Sequence, residues 1–180
     1  MRGLFIAITV SALTVVAVVP ARAMDYDNEF DVSLLGLATG FFNFNIEHTE
    51  NGSVSGFGGF GYSQRGYLFV DEPEAVTWRY VNLKGGAKYY PMGGFRDFFL
   101  SGEVNVGFNM IEDKSTGESN TDVVIVPVFL VGWRWVFAGR GTLTPGVGVA
   151  FGTEEIHAGG HVIDTFGVWP AVDLTLGFLF

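Results

Sequence analysis

The last stretch of the chain alternates with a period of two. Val168, Pro170, Val172, Leu174, Leu176, Phe178 and Phe180 are all apolar, whereas the residues between them, from Gly167 to Leu179, are mostly small or polar. Successive side chains of a strand point to opposite faces, so this pattern predicts a strand with one greasy face and one polar or small one. Such a strand packs its apolar face on a core, or presents it to lipid from the wall of a barrel.

The same alternation recurs along the chain. Eight segments are predicted, at 31–38, 41–49, 53–63, 77–90, 95–110, 122–137, 142–154 and 164–180. Asn51-Gly52, Pro91-Met92-Gly93-Gly94 and Gly139-Arg140-Gly141 are short turn signals, and an early hairpin is placed around Thr39-Gly40. Longer polar stretches lie at 64–76, 111–121 and 155–163. Short turns at one end and long loops at the other define an all-β, eight-stranded antiparallel up-and-down transmembrane β-barrel. Counting back from Phe180 places the three short turns and the start of the barrel at the same end, which requires an even strand number.

Composition agrees. Apolar residues make up 48% of the chain and charged residues 16%; a soluble globule can have this composition, but a barrel that turns one face to lipid explains it more directly. Val123–Phe137 is the most apolar stretch of the barrel region, but Pro127, Gly132, Arg134 and many β-branched residues favour a strand over a helix. No cysteine is present, which excludes disulfides and thiolate chemistry.

At the N-terminus, Arg2 precedes the apolar run Leu4–Val19, followed by Pro20 and Ala21-Arg22-Ala23. This is the pattern of a signal peptide cleaved after Ala23, giving a leader of 1–23 and a barrel domain of 24–180. Without the leader, eight basic side chains face nineteen acidic ones. Nucleic acid is not a partner for such a surface.

Period two also assigns faces. Phe42, Phe44 and Ile46 are predicted outward in the second strand, Val81, Leu83 and Ala87 in the fourth. Phe98, Leu100, Val104, Val106 and Phe108 point out in the fifth, and Leu143, Pro145, Val147, Val149 and Phe151 in the seventh. The sixth is apolar on both faces, and placing Arg134 inside orients it. Tyr89, Trp133, Trp135, Phe137 and Phe178 fall near strand ends, where an aromatic girdle sits. The inward charges are Glu47, Lys84, Lys88, Glu103, Arg134 and Asp173. A barrel of eight strands is barely wide enough for its own side chains, so these charges are expected to pair into a closed plug.

Asn43-Phe44-Asn45-Ile46-Glu47, Gly85-Gly86-Ala87-Lys88-Tyr89-Tyr90-Pro91 and Phe98-Phe99-Leu100-Ser101-Gly102-Glu103 resemble short bacterial outer-membrane β-barrel domains of unassigned function. The terminal Phe180 resembles the sorting signal of such barrels. The resemblance implies the fold and a Gram-negative outer-membrane location; the expected partners are outer-membrane lipid, lipopolysaccharide and the barrel-assembly machinery, and a monomer is expected.

Three further groups of residues carry a chemical reading. Gly56-Phe57-Gly58-Gly59-Phe60-Gly61 matches the spacing of a dinucleotide fingerprint, but that use of glycine needs a helix after the motif, and none is predicted. Glu154, Glu155, His157, His161 and Asp164 carry metal-ligand side chains, yet the histidine spacing aligns only on a helix that Ala158-Gly159-Gly160 disfavours. The acidic groups Asp71, Glu72, Glu74 and Glu112, Asp113, Glu118, Asp122 read as solvated loop. No His-x-Ser arrangement accompanies His48, His157 or His161. The expectation is therefore a non-enzymatic structural or interaction barrel with no catalytic, cofactor or metal residues. A narrow, porin-like gated channel and a lipid-modifying enzyme are the alternatives, and a soluble lipid-binding barrel is disfavoured by the terminal Phe180 pattern and the apolar outer faces.

Overall fold

Ten strands and one short helix make up the computed structural model, which describes residues 26–64, 76–114, 116–152, 155–158, 161–164 and 167–180. The strands are β1 (Asn28–Ser33), β2 (Phe41–Thr49), β3 (Val54–Ser63), β4 (Val76–Tyr89), β5 (Asp97–Asp113), β6 (Ser119–Phe137), β7 (Gly141–Gly152), β8 (Glu155–Ala158), β9 (His161–Asp164) and β10 (Gly167–Leu179). Eight of them close into one antiparallel barrel, in which each strand pairs with its sequence neighbour and β1 pairs with β10. The ring is shut by Asn28 and Phe180, which exchange backbone hydrogen bonds of 3.2 and 3.0 Å. β8 and β9 form a separate hairpin between β7 and β10. The proposed leader, the cluster Asp71, Glu72, Glu74, and Glu154 lie outside the described residues.

The first strand differs from the sequence expectation of 31–38. It starts earlier, at Asn28, and ends at Ser33, and Leu34–Thr39 is a helical turn, α1. Leu34-Leu35-Gly36-Leu37-Ala38 contains good helix formers and no alternation. Ser33 caps it, accepting from the Gly36 N–H at 3.1 Å, and Gly40 ends it at φ 81°. The connection at Thr39-Gly40 is thus a helix end and not a hairpin. β5 and β6 run further than predicted, pairing as far as Glu112 and Ser119, so much of the expected loop at 111–121 is sheet. The stretch 155–163, expected as loop, holds the β8–β9 hairpin.

Face assignments hold. Ile46, Leu83, Phe129 and Val147 are 52–56% exposed on the outside of the wall. Their inward neighbours, such as Asn45, Asn82, Leu130 and Gly146, are buried. Tyr89, Trp133, Trp135 and Phe178 are exposed in a band near the short turns. The two apolar faces of β6 now have a cause. Val124 and Val126 point inward and pack with Trp78, Tyr80, Ile111 and Phe41 at the loop end of the lumen. A second apolar cluster of Tyr90, Phe95, Phe99 and Leu179, with Tyr26 and Val136 against it, fills the turn end.

Glycines of β3 serve packing. A Cβ on Gly59 would strike the Asn45 side chain and the Phe44 carbonyl, and one on Gly61 would strike Asn82 and Phe41. The apparent dinucleotide fingerprint is strand from end to end, with no helix to receive a phosphate. Among the described residues no helix is long and apolar enough to cross a membrane, a fact with no bearing on strands.

Candidate functional site

The lumen between the two apolar clusters is charged, and its centre is Glu47 of β2. The Arg134 Nη2 and Lys88 Nζ both lie 2.6 Å from Glu47 Oε2. Oε1 accepts from the Tyr90 hydroxyl at 2.7 Å and from the Ser55 hydroxyl. Four donors from β3, β4, β6 and the turn after β4 thus satisfy one fully buried carboxylate. That is the condition under which a charge survives out of water.

Arg134 is equally enclosed. Its Nη2 pairs with Glu29 Oε2 at 2.5 Å, while Nε donates to Thr144 Oγ1 at 3.4 Å and Nη1 to the Phe95 carbonyl at 3.5 Å. The guanidinium carbon lies 4.5 Å from the Phe95 ring centroid and 5.2 Å from that of Tyr90. Phe95 holds this position from a left-handed backbone, φ 56°, which is uncommon for a non-glycine residue. Its N–H is anchored on the Gly52 carbonyl at 2.9 Å, which ties two short turns together beneath the arginine. Lys88 sits 5.1 Å from the Phe57 ring centroid and 5.4 Å from that of Phe99. Aromatic faces attract cations most where water is excluded.

Three of the six inward charges predicted from sequence therefore meet: Glu47, Lys88 and Arg134. Lys84, Glu103 and Asp173 also point inward but make no ion pair among the described residues, so the expectation of complete pairing is corrected. Glu103 accepts from Asn105 at 3.0 Å, and Asp173 from Ser33 at 3.5 Å. They lie nearer the loop end, where an asparagine ladder takes over. Asn82 donates to Asn105 at 3.1 Å, and Trp78 to Asn109 at 3.0 Å.

Glu29 and Asp31 were missed. Both are buried in β1, where Phe30 and Val32 alternate with them, and this local alternation was the available signal. Asp31 accepts from Asn45 at 2.6 Å, and Glu29 from the Thr142 hydroxyl. The carboxylates of Glu29, Asp31 and Glu47 lie within 4.8 Å of one another. Arg134 and Lys88 engage two of the three, so the cluster is built around its own cations.

His157 lies in β8, His161 and Asp164 in β9, and Glu155 opposite Asp164, with His157 paired to Val162 and His161 to Ala158. The two histidines are thus not partners in register. His48 bonds Asn28 Oδ1 at 2.9 Å through Nδ1, at the turn end.

No family model matches the chain, and no curated protein matches it. Solved structures do share the fold. The N-terminal β-barrel domain of Pseudomonas aeruginosa OprF is 11% identical, covering 86% of this chain and 98% of that one, with a TM-score of 0.50. Ail, the attachment invasion locus protein of Yersinia pestis, is 12% identical over 87% of this chain and 100% of its own, with a TM-score of 0.52. Ail in complex with the heparin analogue sucrose octasulfate gives 0.51. The chain has the closed eight-stranded antiparallel up-and-down barrel fold of these proteins.

Proposed function

We propose that this chain is an outer-membrane β-barrel of a Gram-negative envelope, exported through the cleaved leader 1–23, with a structural or interaction role and no enzymatic activity. The observation that carries the reading is the inversion of polarity across the wall. An exposed apolar belt with aromatics at the turn end surrounds a lumen of buried charges and asparagines. A soluble protein rarely leaves so large an apolar surface in water, whereas a membrane barrel needs one. The neighbours OprF and Ail, both bacterial outer-membrane barrels, support the location.

The packing inside the barrel supports a closed lumen, and with it the structural or interaction role over a channel. A cluster of buried apolar side chains lies at each end, and the Arg134–Glu47–Lys88 network lies between them. The turn end is then periplasmic, and the loop end, with the extended β5–β6 hairpin and the acidic Glu112, Asp113, Glu118 and Asp122, is external. Function on barrels lives in such loops, and weak divalent bridging to lipopolysaccharide phosphates suits these carboxylates. The C-terminal strand engages the barrel-assembly machinery, and the protein acts as a monomer.

The test is fractionation followed by planar-bilayer recording. The mature protein is expected with outer membranes, heat-modifiable on gels and electrically silent. Recovery as a soluble periplasmic protein would overturn the location, and a steady single-channel current would replace the closed barrel with a channel.

A further inference from the structure

The ladder that closes the barrel, β1 with β10, does not reach the loop end of the wall. β1 pairs with β10 only from Glu29–Leu179 to Ser33–Thr175, and beyond Thr175 no described strand pairs with β10 on that side. Asn28 and Phe180 exchange both backbone bonds, so the even-numbered residues of β10 direct their N–H and C=O groups toward β1. Above β1 these groups, both of them at Val168 and Val172 and the carbonyl alone at Pro170, face a seam between β10 and β2 in which α1 sits. Val168 and Val172 are each 65% exposed, more than any of the belt residues named above.

Depth and capping put α1 inside the membrane. Six residues of β1 rise about 20 Å along the strand, or about 15 Å along the normal at a tilt of about 40°. The apolar band of such barrels is about 25 Å tall, so α1 begins within it. Backbone at that depth must satisfy itself. Besides the Ser33 cap, Thr39 Oγ1 donates to the carbonyls of Leu35 at 2.8 Å and Gly36 at 3.1 Å, and the Gly40 N–H reaches the Leu37 carbonyl at 3.4 Å. Leu34–Ala38 carries no polar side chain, and Leu37 is 52% exposed.

We propose that this seam is a lipid site: an acyl chain of the leaflet at the loop end lies along β10 over Pro170 and Val172, against Leu35 and Leu37, with its head at the level of Val168. This rests on the membrane reading above. Within the apolar band, the Val172 N–H and C=O and the Pro170 C=O have no backbone partner among the described residues; they select a chain that carries a hydroxyl or an amide near its head, since plain hydrocarbon leaves them unsatisfied at a cost of several kcal/mol each. A strand from a partner fits worse. Pro170 offers no N–H at the edge, and α1 stands in the path of a strand.

The chain has no cysteine, so single introduced thiols report local water directly. Mature protein carrying Leu37→Cys, Ile46→Cys or Thr116→Cys is reconstituted in phosphatidylcholine vesicles and treated with a membrane-impermeant maleimide. Modification at Thr116→Cys is expected, with loss of modification at the other two. Modification of Ile46→Cys would overturn the membrane reading itself. Protection of Ile46→Cys with modification of Leu37→Cys would overturn the seam alone, and Leu35→Cys replaces Leu37→Cys if that variant does not fold. For the chain preference, wild-type amide spectra are compared in nanodiscs of phosphatidylcholine with and without lipid A. The Val168 and Val172 resonances are expected to shift, while those of Leu83 and Val147, paired on both sides within the sheet, stay. Equal spectra would overturn the preference for a hydroxylated or amide-linked chain.

Discussion

Glu47 and Arg134, 87 residues apart in sequence, meet at 2.6 Å inside the barrel, and both side chains are completely buried. The pair joins β2 to β6 across the lumen instead of along the wall. Its strength as a constraint comes from what surrounds it: Lys88, Tyr90 and Ser55 on the carboxylate, Glu29 and Thr144 on the guanidinium.

Removing the arginine is expected to be the most damaging single change in the lumen. Arg134→Ala strips Glu29 and Glu47 of a shared cation, and breaking a buried pair costs on the order of 3–5 kcal/mol. Urea unfolding in lipid vesicles, followed by tryptophan fluorescence, reads the loss. A midpoint equal to wild type would show that the network contributes nothing to the closed state.

The two carboxylates are expected to rank unequally. Glu47 receives four donors and Glu29 receives an ion pair and the Thr142 hydroxyl. Glu47→Gln should therefore destabilise more than Glu29→Gln in the same unfolding assay. The reverse order would place the structural centre of the network on β1.

Glycine substitutions separate crowding from strand propensity. A Cβ on Gly148 would run into the Phe129 carbonyl, whereas one on Gly56 meets nothing within 4 Å. Gly148→Ala is expected to lose about 1–3 kcal/mol, the usual cost of overpacking, with Gly56→Ala near neutral. Equal effects would mean that the wall at β6–β7 gives way freely.

Deleting Phe180 removes both backbone bonds that join the chain end to Asn28. Slower assembly and a reduced heat-modifiable fraction are expected. Unchanged assembly would argue against both a closing and a sorting role for the terminal residue.

Topology is checked in intact cells by labelling a cysteine placed at Gly160 and another at Gly93. Gly160 should label and Gly93 should not. If Gly160 labels, calorimetry with zinc and nickel on wild type and His161→Ala is expected to detect no specific binding. Labelling at Gly93 alone would invert the barrel and remove the case for external acidic loops.

What the chain determines locally is legible residue by residue. A strand's faces follow from period two, so Ile46, Leu83 and Val147 could be set outside and Asn45, Lys88 and Arg134 inside without knowing a single partner. Short turns at Asn51-Gly52 and Gly139-Arg140-Gly141 declare themselves by their residues, and with them the even strand number. Partnership across the lumen does not. Glu47 meets Arg134 and Glu29 because the register and tilt of closed strands bring their side chains to one level, and those are properties of the whole ring. The same holds for Val124 and Val126, apolar residues turned inward because Trp78, Tyr80 and Ile111 already fill that end of the barrel. The helical turn at Leu34–Thr39 also depends on the closed wall. Its leucines suit a strand facing lipid as well as a helix, and beyond Ser33 α1, not a longer β1, occupies the space beside β10.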